Sequence, residues 1–409
     1  MGMPIRYNIR NLFRRKLRSF LTVLGIGLVI AIAVIMLAYS RGLLFSLRNN
    51  GDPENALVLS RRATDRGFSS VKQTQFDILS AELMDKVAFS EPGTVPGAED
   101  PDADPLDSAD LVTPYLSHSF LVQAEGDDEG EGATRRGLVL GVDPERAFHM
   151  HRSFQLTSGR LLTVDDEYAA LVGSLAWARL GLEKPSDLGV GAKLRFRGIE
   201  WEIVGVFDAS GSGADGEIWV PLDELRTILD RSDLNFLVVR SPDEAGMREV
   251  VDYVNESEKT ELRAVSEQDY YRGYAESFRT FALIGGVMAL VITLGGIMVG
   301  MNTMYTAISG RIREIGMLQV QGFSKRAILG SFLLESLLIA LVGGALGCAL
   351  GSLVNGMPME VTMGVFVFRV DGLVIALGMG LAVMIGLVGA FIPAMRAIRI
   401  RMVEAMRYQ

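Results

Sequence analysis

The chain has 409 residues, 49% of them hydrophobic, a formal net charge of −9, one cysteine and three histidines. A single water-exposed globule is excluded, because the apolar residues gather in four charge-poor runs while most of the charge lies between the first and second of them. Nothing in the acidic balance points to nucleic acid, and His118, His149 and His151 supply little for a catalytic metal or triad.

Residues 1–18 carry six basic side chains (Arg6, Arg10, Arg14, Arg15, Lys16, Arg18) and no acid. Ile5, Ile9, Leu12, Phe13 and Leu17 recur at helical spacing among them, which fits an amphipathic basic helix on the inner leaflet or a simple positive flank. Residues 19–41 reach the roughly 20 apolar residues that a span needs. Ala38-Tyr39-Ser40 has the small-residue look of a cleavage site, but the run exceeds the roughly 7–15 residues of a signal h-region, so an uncleaved anchor is expected.

Residues 42–278 hold 23 Lys+Arg and 44 Asp+Glu, a net −21 against +12 for the remainder. The acidity therefore belongs to this insert and is read as solubility in an outward compartment. Cys348 falls in the third span, so the insert has no disulfide and depends on its core. Strands are predicted at 56–60, 120–123, 138–142, 169–172, 193–196, 200–206, 218–220 and 235–240, with helices at 75–87, 174–180, 222–229 and 243–257. These mixed signals predict an α+β domain, with two lobes expected. Glu91–Asp110 reads as a loosely tethered acidic loop. Its Asp100-Pro-Asp102-Ala-Asp104 opening lacks the glycine and terminal glutamate of a calcium loop. Glu125–Glu131 reads as an acidic hairpin tip, and His149-Met-His151 offers two imidazoles on one side of a strand, a surface pair rather than a metal site.

From about Ser266 a continuous stalk helix is expected to enter the second span, 279–310, with Tyr270, Tyr271, Tyr274, Phe278 and Tyr39 forming an aromatic belt at the outer interface. The third and fourth spans are 327–356 and 372–395, joined by a short outer loop at 357–371. Lys and Arg predominate at 1–18, at 311–326 and in the tail, 396–409, which places all three segments and both termini on the cytoplasmic side of a multi-pass membrane protein. Gly343, Gly347 and Gly351, Ala382, Gly386 and Ala390, Gly296 with Gly300, and Gly27 with Ala31 allow close helix packing, within the chain or across a dimer.

No G-x-x-x-x-G-K-[ST], G-x-S-x-G, H-E-x-x-H or C-x-x-C motif occurs, so energy is expected from elsewhere and no catalytic residue or metal site is assigned. The working part is expected in the basic connector 311–326. Ile308, Ile312, Ile315 and Leu318 form a helical stripe, Gly322 fits a left-handed stop and Ser324 can cap the next helix. Glu335 lies about two turns into the third span, where a carboxylate is costly and serves either function or helix packing.

Arg10-Asn-Leu-Phe-Arg-Arg-Lys-Leu-Arg-Ser-Phe-Leu, Asn302-Thr-Met, Arg313-Glu-Ile-Gly-Met-Leu, Ile392-Pro-Ala-Met-Arg-Ala and Val403-Glu-Ala-Met-Arg together resemble the MacB/FtsX-like permease family of ABC transporters, which includes the lipoprotein-releasing LolC/LolE-type permeases. Ser158-Gly-Arg-Leu-Leu, Leu171-Val-Gly-Ser, Val190-Gly-Ala-Lys-Leu and Ile203-Val-Gly-Val-Phe in the insert are similar to the family as well. The resemblance implies a non-catalytic, dimeric permease with four spans and a large extracytoplasmic domain. A separate ATPase, binding ATP with Mg, would grip Arg311, Arg313, Glu314, Ile315, Gly316, Leu318 and Gly322 as a coupling helix. Mechanotransmission through the stalk would then export or extract an amphiphile (lipoprotein, lipid, peptide or drug), with a second permease copy or paralogue and an adaptor or lipoprotein as partners. The alternative implied is a transducer that activates a cell-wall hydrolase. Arg401-Met402 departs from the Asp-Pro common in the family's tail.

Overall fold

A computed structural model describes residues 16–48, 50–86, 112–124, 134–257, 259–361 and 364–399. The expectations for the basic helix before residue 16, the acidic loop with its Asp100-Pro-Asp102 run, the tip at Glu125–Glu131 and the tail beyond 399 lie outside those residues, as do the side chains of Tyr274 and Phe278. Contacts divide the chain into two compact units.

The first unit comprises Met1–Leu43, Arg279–Met357 and Val367–Gln409. It holds the apolar parts of α1 (Lys16–Arg48) and α6 (Glu267–Ser309), together with α7 (Ile312–Val320), α8 (Lys325–Gly351) and α9 (Gly372–Ala397). Four helical segments, Ser19–Ser46, Leu283–Ser309, Lys325–Val354 and Gly372–Ala397, are long and apolar enough to cross a membrane. The stalk expectation matches α6, one uninterrupted helix of 43 residues.

Small residues set the spacing of this bundle, and the contacts are within the chain. A Cβ placed on Gly347 would lie 2.5 Å from the carbonyl oxygen of Gly27, and one on Gly343 would lie 3.0 Å from that of Val23, so α1 and α8 touch through their backbones. Gly351 meets Val34 and the carbonyl of Ala31 in the same seam. Gly344 faces Ala382, and Gly386 faces Ala340, which joins α8 to α9. Gly296 meets Val29 of α1 and Ile385 of α9, Gly300 also meets Ile385, and Ala390 is fully buried.

The second unit comprises Leu44–Phe278 and Pro358–Phe366. Ten strands form one sheet in the order β10-β1-β9-β2-β3-β8-β5-β7-β4, with β6 bridging β2 and β7. These are β1 (Asn55–Ser60), β2 (Val112–Ala124), β3 (Arg135–Val142), β4 (Gln155–Gly159), β5 (Ala169–Gly173), β6 (Lys193–Phe196), β7 (Ile199–Asp208), β8 (Glu217–Pro221), β9 (Phe236–Arg240) and β10 (Leu262–Ser266). The β3–β8 and β5–β7 pairs are parallel and the others antiparallel. The α+β expectation matches, and among the described residues these ten strands are joined in a single hydrogen-bonded sheet, with β8 bridging β3 and β5.

Both faces of that sheet are covered. Ala56, Val58, Leu237 and Val239 pack with Leu79 and Leu83 of α2 (Gln73–Lys86), Leu222 and Leu225 of α4 (Leu222–Leu229), and Val250 and Val254 of α5 (Glu244–Glu256); α3 (Ala176–Arg179) adds Ala176 to the same cluster. Leu57, Leu59, Phe236 and Val238 point the other way, onto Tyr115, Phe207 and Trp219. Two short strands, β11 (Pro358–Val361) and β12 (Gly364–Val367), pair with each other within the expected short outer loop at 357–371, and residues 358–366 cluster with this unit.

Gly347→Val is expected to lower the thermal unfolding midpoint in detergent by the equivalent of about 1–3 kcal/mol, because a side chain there must push α1 and α8 apart. Gly380→Ala, where nothing lies within 4 Å, is expected to be neutral or to stabilise by up to about 1 kcal/mol.

Candidate coupling site

The connector after α6 folds as α7, and its ends follow from local chemistry. At the C-terminal end the amide of Gly322 donates to Gln319 and that of Phe323 to Leu318, while Gly322 takes φ +89, a left-handed stop that glycine adopts without strain. Leu318 and Phe323 pack in the same apolar cluster, completing the cap. The Ser324 hydroxyl accepts the amide of Ala327 and starts α8.

The apolar stripe points inward. Ile315 is 4% exposed and packs with Met304 and Ile308 of α6, Ile328 and Phe332 of α8, and Ala394 and Ala397 of α9. Gly316 is buried, and Leu318 is partly buried against the same cluster. These three, expected among the coupling residues, seat α7 on its own bundle, because an apolar side chain next to a ready-made apolar groove gains most by entering it. Arg313, Glu314, Met317 and Val320 occupy the opposite face, with Met317 and Val320 at 55% and 60% exposure. Two exposed apolar residues beside a charged pair make that face the one able to receive another surface.

Arg311 precedes α7 with its side chain 10% exposed. Its Nε donates to Glu314 Oε2 and its Nη1 to Glu335 Oε2, each at 3.0 Å, and its guanidinium carbon lies 5.4 Å from the centre of the Phe332 ring. Glu335, singled out as an intramembrane carboxylate, thus has a named cation. Next to it the Ser336 hydroxyl donates to the carbonyl of Gly386 at 2.7 Å.

A second polar cluster lies within the sheet unit and was missed in the sequence. The Arg66 guanidinium donates to Glu217 and to the Tyr271 hydroxyl, while the Arg66 amide donates to the Tyr270 hydroxyl. Trp219 Nε1 donates to the other oxygen of Glu217 at 3.0 Å, and Glu267 accepts from Asn55 and from the amide of Asp52. The start of α6 is thereby fixed to β1, to Asp52 just before it and to Arg66 in the 3-10 turn just after it, and through Arg66 to β8. This corrects the aromatic-belt expectation for Tyr270 and Tyr271. The signal was available, since Tyr271 precedes Leu283 by twelve residues, about 18 Å along a helix. His149 and His151 lie on and just after a 3-10 turn, not a strand, and His151 stacks on Phe154. No cluster suited to a metal ion occurs among the described residues.

Two family models match the chain: the MacB-like periplasmic core domain over residues 19–257 and the FtsX-like permease C-terminal region over 286–402. The chain belongs to the MacB/FtsX-like family of ABC transporter permeases. The permease is 24% identical to the uncharacterized ABC transporter permease YknZ of Bacillus subtilis (strain 168), over 99% of this chain and 98% of that one. It is 25% identical to the macrolide export ATP-binding/permease protein MacB of Bdellovibrio bacteriovorus, over 99% of this chain but 63% of the relative. The periplasmic region of MacB from Actinobacillus actinomycetemcomitans matches 57% of the permease at 17% identity, covering 97% of that structure, with a TM-score of 0.37.

Burial, and then the carboxylates of Glu267 and Glu217, raise the Tyr271 phenol well above its ordinary value of 10.0. The stability this phenol contributes is complete below pH 10, where it is protonated in both states, and is lost as pH rises above the unfolded value. Tyr271→Phe is expected to remove that part of the alkaline loss in unfolding measured from pH 9 to 12. Glu217→Leu leaves the Arg66 guanidinium buried without its carboxylate and is expected to cost about 3–5 kcal/mol. Denaturant unfolding of the whole chain followed by tryptophan fluorescence reports this, since Trp219 bonds to Glu217 directly.

Proposed function

We propose that this permease is driven by a separate ATPase, which holds ATP with Mg and docks on the exposed face of α7. The observation that carries the reading is the two-sidedness of this nine-residue helix: Ile315 is buried in the bundle while Arg313, Glu314, Met317 and Val320 face outward. A push on that face is received by α6, α8 and α9 together, because Ile315 contacts the cluster all three build. The basic flanks support a cytoplasmic position for α7 and both termini, with the sheet unit on the far side of the membrane. A second copy or a paralogue completes the transporter.

The substrate class we favour is an amphiphile handled by the sheet unit. The relatives named for macrolide export support transport, and their names join ATP binding to a permease of which this chain spans 63% in the first case and 58% in others. ATP-driven closure of the partner would move α7, and the uninterrupted α6 would carry the displacement to its first turn, where Glu267, Tyr270 and Tyr271 bind the sheet unit.

Met317→Asp combined with Val320→Asp is expected to reduce copurification of the ATPase, and ATP hydrolysis by the complex, about tenfold or more, since each buried apolar contact at an interface hot spot is worth about 2 kcal/mol. Membrane insertion and thermal stability are expected to stay unchanged because both side chains face outward. Undiminished copurification would overturn the docking face. Ile315→Asp and Leu318→Asp are less informative, since they place a carboxylate in the bundle's own core.

A further inference from the structure

Glu335 is ten residues into α8 and its side chain is 13% exposed. It lines a cavity of about 50 Å³ where all four long helices of the first unit meet, with Ser19 and Thr22 from α1, Thr303 from α6 and Ile385 from α9 among the other lining residues. A carboxylate there is tolerated only with a cation held against it. That cation is Arg311, 24 positions earlier and outside α8 altogether. The same guanidinium binds Glu314 on the outward side of α7 and rests on Phe332. Arg311 therefore bridges a half-exposed carboxylate on the connector and a nearly buried one at the helix junction.

The apolar contacts of Ile315 seat α7 but allow it to rock, since dispersion and area burial are weakly directional. A planar fork held by two carboxylates is directional. We infer that Glu335 is a positioning residue: acting through Arg311 it fixes the angle of α7 on α8, so that displacement of α7 reaches the four-helix junction instead of being absorbed as rocking. This deepens the coupling reading and rests on it for its functional meaning, while the geometric claim can be read in the permease alone.

The experiment is a double-mutant cycle of Arg311→Gln, Glu335→Gln and the double substitution, each in the full chain in nanodiscs with Cys348→Ala. A nitroxide is placed at Val320→Cys on α7, or at Leu353→Cys beyond α8 as a control, both positions being exposed. Each single substitution is expected to shorten the Val320 label's correlation time about threefold, the double no further than either single, and the Leu353 label not at all. In unlabelled protein with the copurified ATPase, the same three variants are expected to retain the ATPase and to lose most of its stimulation. Overturning results are singles that match the parent, effects of the two singles that multiply in the double, or an equal loosening at Leu353, which would mark the pair as general packing. Failure of the docking face is seen separately, as unchanged copurification in Met317→Asp with Val320→Asp, and leaves the mobility result standing.

Discussion

The first unit depends on backbone touching backbone at Gly347 and Gly27. In hydrocarbon no gain comes from hiding apolar side chains, so helices associate where atoms fit closely, and the absence of two side chains brings α1 and α8 within contact of main-chain oxygen. Gly344 and Gly386 do the same for α8 and α9. With these three helices held, and α6 packed on α1 and α9 at Gly296, a groove of Met304, Ile328, Phe332 and Ala394 is fixed at one end, and α7 has a place to lie.

Each unit then spends one guanidinium on the part of the chain that has to be oriented. In the sheet unit Arg66 meets Glu217 and the two tyrosines at the start of α6; in the bundle Arg311 meets Glu314 and Glu335 at the start of α7. Neither pair is needed for hydrophobic burial, and both carry the large desolvation cost of a buried charge. What they supply is direction, which apolar packing lacks. Both sit where a helix begins, so each determines how a long element leaves its support.

Much of this was legible because the signals are local. Four apolar runs gave the long helices, Gly322 and Ser324 gave the end of α7 and the start of α8, and the four-residue repeat of glycine in α8 gave its contact face. Family resemblance in the residues quoted from both units matched the two family models. The misses have identifiable reasons. All five residues of β4 are exposed, so no alternation marks it, and β2 runs for 13 residues where only 120–123 was predicted, because Pro114 lies inside its first half. Which face of α7 is buried depends on a groove built by residues up to 83 positions away, Ile315 against Ile398. The Arg311–Glu335 pair depends on how α7 and α8 are rotated, which composition does not record.

The β11–β12 pair has a structural consequence. Val365 is 2% exposed, and its Cγ2 lies 3.0 Å from where a Cβ on Gly216 would stand, at the 3-10 turn that leads into β8. β11 also packs beside α3. The sheet unit is therefore assembled from two separated stretches of sequence, and the polypeptide passes between the units four times rather than twice. A fragment cut out at residues 44–278 would bare the seat of Val365, so the domain is finished only after the third long helix has been synthesised.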